Sequence, residues 1–157
     1  MRNRLDPWRN LPGEERLLLV SLVVLLPLIG MASRVLGFRR TYRLLDGSGG
    51  LPAANGDVSA DNRSMAMRWG RLVNIAARHG PYSATCLPQS LALRWLLCRS
   101  GMPAEVRVRV GKEGGRMQAH AWVELGGRVI NDHSDVDAEY AVYPEFAGRL
   151  ARPLRTS

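Results

Sequence analysis

The chain has 157 residues, enough for one domain with a real core, and 46% of them are hydrophobic, which excludes a disordered tail. Lysine and arginine outnumber aspartate and glutamate by 22 to 14, a formal charge of +8, which suits either anionic partners or a solvated basic surface. No Lys/Arg-rich run with interleaved aromatics appears, which speaks against nucleic acid, and neither metal-ligand spacing of the three histidines nor a phosphate loop is present, so no metal or cofactor is expected.

The first element is the apolar segment from Leu11. Pro12, Glu14 and Glu15 suit a helix start, where proline and acidic side chains meet free N–H groups. From Leu17 to Ser33, 17 positions carry no charge, and Arg34, Arg39, Arg40 and Arg43 follow. Three readings compete for residues 1–45: a buried or partner-docking helix, a membrane-embedded or membrane-surface helix, and a signal peptide. Glu14 and Glu15, just before the apolar run, disfavour the last. Residues 46–62, rich in glycine, serine, proline and asparagine, form a flexible connector and the main boundary.

A core follows over 63–150, with a disordered tail at 151–157. Met65, Trp69, Leu72, Val73 and Ala76 recur every three or four residues, with Arg68, Arg71 and Arg78 elsewhere on the wheel. This predicts an amphipathic helix ending near Gly80-Pro81. The next helix starts near Cys86, with Thr85 as N-cap and Pro88 tolerated in the first turn, and stops at Gly101 and Pro103. Leucines and Trp95 cover most of its wheel, so it is expected to be central and buried. The period then changes to two. "AEVRVRV" predicts a half-buried strand, and "RMQAHAWVELGGRVIND" predicts a hairpin turning at Gly126-Gly127. Gln118, His120, Trp122 and Glu124 share one face of its first strand. The fold class is α+β: helices first, then a small antiparallel sheet.

Both cysteines fall in the central helix. Twelve residues at about 1.5 Å each separate Cys86 from Cys98 by about 18 Å. A disulfide needs Cα atoms within about 7 Å, so the two neither pair nor share a metal. Cys98, late in an apolar helix, reads as a small hydrophobe. Cys86, in the first turn, meets free N–H groups and the positive end of the helix dipole, a setting that favours the reactive thiolate. A cysteine nucleophile needs a base and the base an orienter. His120 on one strand and Asp132 at the end of the next supply candidates for both, each also readable as an ordinary core or surface group.

"CLPQSLALRWLLCRSGMPAEVRVRV" followed by "AHAWVELGGRVIND" resembles the leader peptidases of lasso peptide biosynthesis, within the transglutaminase-like superfamily of papain-like folds. The C-L-x-x-S-L-A-L and A-H-A-W-V-E runs are its most specific parts. The resemblance implies a cysteine protease that removes the leader from a ribosomally made precursor peptide, with Cys86 as nucleophile, His120 as base and Asp132 as third member. It also implies a stand-alone form that relies on a separate leader-binding protein of winged-helix type. An ATP-dependent macrolactam cyclase would receive the freed core. The implied location is cytoplasmic, with membrane contact through the N-terminal helix left open.

The backbone N–H of Cys86 is a candidate oxyanion donor, since a first-turn N–H is free. Tyr82, Gln89 and Trp122 are candidates for the second. Asn131 and Asp135 are close enough to replace Asp132 if the strand ends differently. The rival readings are a non-catalytic peptide-binding module, another acyl-transfer enzyme such as an amidase or transglutaminase, and a membrane-anchored scaffold.

Overall fold

The structure, a computed structural model, describes residues 12–46, 58–80, 84–113 and 116–131. Among them are four helices, α1 (Gly13–Val35), α2 (Phe38–Asp46), α3 (Ala60–His79) and α4 (Cys86–Arg99). Strands β1 (Ala104–Glu113), β2 (Arg116–Leu125) and β3 (Arg128–Val129) form one antiparallel sheet in the order β1-β2-β3. The expected α+β class is observed: four helices packed on a small three-strand sheet.

Each boundary has a local cause. Pro12 stands at the N-cap of α1, with Glu14 and Glu15 in the first turn. The apolar segment predicted as one helical unit over residues 1–45 holds two helices among its described residues: the chain turns at Gly37 and starts α2, whose Thr41 hydroxyl donates back to the Gly37 carbonyl at 3.1 Å. α3 begins at Ala60, inside the predicted connector. Ser59 caps it, its hydroxyl accepting from the Asn62 N–H at 3.2 Å. α3 ends at Gly80 and α4 begins at Cys86 with Thr85 as its N-cap, as expected, although the Thr85 side chain makes no capping bond. The β2–β3 turn uses Gly126 and Gly127 at φ 55° and 74°, the left-handed pair that a two-residue hairpin turn needs.

One apolar core joins these elements. α1 contributes Leu19, Leu22, Leu26 and Ile29, α3 contributes Leu72, Val73 and Ala76, and α4 contributes Leu91, Leu93 and Leu97. The sheet closes the core with Ala104, Val123 and Leu125. α4 touches α1, α2, α3, β1 and β2, so it is the central helix its apolar wheel predicted. Its one buried cation, Arg94, was not singled out in the sequence. Arg94 pairs with Asp46 at the end of α2 and lies over the Tyr42 ring, 4.5 Å from its centroid. Burial pushes the Tyr42 phenol up, with the positive charge of Arg94 opposing it. Burial also works against the Arg94 charge, yet the Asp46 hydrogen bond and neighbouring groups hold it above its ordinary value. Arg94 is thus the polar tether of α2.

A tether of this kind predicts an order of stabilities. Asp46→Ala leaves a buried guanidinium without its anion and should cost about 1–3 kcal/mol, the lower end if solvent compensates at this part-exposed carboxylate. Arg94→Met, which removes the charge and keeps the stem, should cost less. Urea denaturation of the two variants measures the difference.

Candidate active site

α4 begins on Cys86, so the thiol stands where the first helical N–H groups lack intrahelical acceptors. Cys86 is half-buried, and its thiol faces the Ala119 carbonyl of β2 at 3.8 Å. Strand geometry explains why that carbonyl is open to it. The Val123 carbonyl accepts from the Ile130 N–H at 2.9 Å, so Val123 points its backbone groups toward β3. Along a strand every second residue points the same way, which aims Ala121 and Ala119 at the same edge. β3 has only two residues, paired with Glu124 and Leu125, and does not reach that far. Among the described residues, the start of α4 therefore meets β2 at an edge that β3 does not reach, against Ala119, the residue that precedes His120.

His120 pairs with Arg109 in the β1–β2 register, and its side chain leaves the sheet on the face opposite the Val123–Leu125 core row. Trp122 and Glu124 share that face. The exposed imidazole stacks on the Trp122 indole with centroids 6.1 Å apart and planes 26° from parallel. The indole is itself fixed, because Trp122 Nε1 donates to Glu124 Oε1 at 2.9 Å. The other Glu124 oxygen accepts from Arg107 Nε at 3.0 Å, and Arg107 Nη2 reaches Glu105 at 3.0 Å. The H-x-W-x-E spacing is thus a row in which a glutamate orients a tryptophan and the tryptophan backs the histidine.

The other sequence candidates divide. Trp122, one of three candidates for the second oxyanion donor, spends its only side-chain N–H on Glu124. Gln89 donates one amide hydrogen to the Ala84 carbonyl at 2.7 Å and so buttresses the segment that leads into Cys86. Tyr82, Asp132 and Asp135 lie outside the described residues. Cys98 is also a free thiol, at the far end of α4, against the Ala104 carbonyl at 3.7 Å. Among the described residues no group of three His, Cys, Asp or Glu could hold a metal.

Asn131 has a role that the sequence did not reveal. Its Oδ1 accepts from the buried Val123 N–H at 2.8 Å, and its Nδ2 donates to the hydroxyl of the buried Ser90 on α4 at 3.3 Å. Its own carbonyl accepts from Asn74 Nδ2 on α3 at 3.3 Å. One residue therefore joins β2, α3 and α4 immediately after β3. Gly70 of α3 makes room for this segment: a Cβ there would meet the Ile130 carbonyl oxygen at 3.0 Å and its Cγ2 at 3.3 Å. The carboxamide is engaged as a clamp, which argues against its standing in for Asp132.

A model of the transglutaminase-like superfamily matches residues 28–145. The match covers well over half of the chain, and the chain belongs to that superfamily, whose members are usually cysteine hydrolases or transferases. No curated protein and no solved structure matches the chain.

The clamp predicts graded losses of stability. Asn131→Ala strands the buried Val123 N–H and Ser90 hydroxyl and should cost about 2–4 kcal/mol. Asn131→Asp keeps an acceptor for Val123, and the Ser90 hydroxyl can rotate to donate to it, so its loss should be smaller. Denaturant midpoints of the two variants check the order.

Proposed function

We propose that this chain is a cysteine peptidase that removes the leader from a ribosomally made lasso precursor peptide, with Cys86, His120 and Asp132 as its catalytic set. The observation that carries the reading is the Cys86 thiol at a helix start, against the carbonyl of Ala119, the residue that precedes His120 on β2. Membership of the superfamily supports acyl-transfer chemistry at a cysteine. The C-L-x-x-S-L-A-L and A-H-A-W-V-E runs support the choice of leader peptidase within it.

In this mechanism the Cys86 thiolate attacks the carbonyl carbon at the leader–core junction, and the developing oxyanion is met by the free N–H of Cys86. The C–N bond breaks as protonated His120 gives its proton to the leaving amine of the core. His120 then takes a proton from water, whose oxygen attacks the thioester; the leader leaves as a carboxylate and the thiolate is regenerated. Asp132 orients the imidazole and stabilises its cation. The Trp122 indole keeps the ring from swinging away along the strand. A winged-helix-type leader-binding protein would present the substrate, and a macrolactam cyclase would take the core. The proposed compartment is the cytoplasm.

The test is cleavage of the precursor in the presence of its leader-binding protein, followed by mass spectrometry. Cys86→Ala should lower the rate by roughly a thousandfold or more, whereas Cys98→Ala should cleave at the parental rate. Undiminished cleavage by Cys86→Ala would sink the assignment.

A further inference from the structure

α1 has two apolar faces, and the fold uses one of them. Leu19, Leu22, Leu26 and Ile29, none more than 3% exposed, pack on α3 and α4. On the other side Leu17, Val20, Val24, Leu28, Met31 and Val35 are 55–75% exposed. Their spacing keeps them in one straight stripe about 27 Å long. A continuous exposed apolar surface of this kind marks an interaction site. At its C-terminal end the stripe meets Arg34 and, across the Gly37 turn, the exposed Arg39, Arg40 and Arg43 of α2, with Leu44 65% exposed among them. Residues 31–45 contain no acidic side chain.

We infer that α1 and α2 form a docking surface for an anionic lipid bilayer, lying along it, with the stripe in the acyl boundary and the arginines at the headgroups. Charge selects this occupant. Arg34, Arg39, Arg40 and Arg43 are all exposed beside the stripe with no carboxylate among residues 31–45, a cationic rim that complements anionic headgroups. Although α1 is long and apolar enough to cross a membrane, its other face is part of the core, so a crossing would take Leu19, Leu22, Leu26 and Ile29 out of the protein. Contact along the surface keeps the core intact. The inference makes no use of Cys86 or of the proposed cleavage, so it stands or falls independently of them.

The test is co-sedimentation of the full chain with vesicles of phosphatidylcholine alone and of equal parts phosphatidylcholine and phosphatidylglycerol. Binding should be confined largely to the anionic vesicles and should weaken with added salt. Replacing Arg39, Arg40 and Arg43 by glutamine should lower partitioning roughly a hundredfold. Val24→Glu with Leu28→Glu should abolish it. Both positions are exposed, and an unchanged circular dichroism spectrum and denaturation midpoint would show that this variant folds. Three results overturn the inference: no binding to anionic vesicles, equal binding to both kinds, or a concentration-dependent dimer that Val24→Glu with Leu28→Glu dissolves.

Discussion

The site depends on the early end of β3. Two residues pair with β2 in the ladder, and Ile130 and Asn131 after them meet the backbone of Val123, one through its N–H and the other through its side chain. A longer β3 would take the edge groups of Ala121 and Ala119, and the first turn of α4 would be shut out. Leaving a strand usually strands a backbone group on its neighbour. Here the Asn131 carboxamide receives the Val123 N–H in place of the next backbone carbonyl. The same side chain reaches Ser90, so the end of the sheet and the register of α4 are set together. The polar clamp costs little because each of its buried partners is satisfied.

Around that edge the two faces of β2 do different work. The row of Val123 and Leu125 belongs to the core and fixes where the strand lies. The row of His120, Trp122 and Glu124 carries the proposed base and is held by interactions within the sheet, from Arg107 and Glu105 through Glu124 to the indole. A one-residue slip of β2 against β1 would exchange the rows and bury His120 in the leucine core. The strong apolar preference of the first row therefore protects the placement of the second.

Much of this was legible in the residues. The change of period from helix to strand, the Gly126-Gly127 turn and the start of α4 beside Pro88 all declared themselves. The start of α3 did not, because the serine that caps a helix is also a connector residue, and Ser59 stands in a run rich in both meanings. The separate α2 was hidden for a related reason: apolar and arginine side chains continue across Gly37 without a change of pattern. Arg94 and Asn131 were invisible as structural groups because Asp46 and Ser90 are distant in sequence and Val123 meets Asn131 only once the hairpin has closed. For α1, a wheel apolar on both sides carries no phase, so only the fold could show which side is covered.

The spacing of the two thiols along α4 has a chemical consequence of its own. Cys98 is held at the far end of a continuous helix, so an oxidant that converts Cys86 to a sulfenic acid finds no resolving thiol within this chain. The sulfenic acid can then be rescued only by a thiol from outside, such as a small cellular reductant, or else pass irreversibly to the sulfinic acid. The helix that presents the proposed nucleophile thereby leaves its redox upkeep to thiols from other molecules.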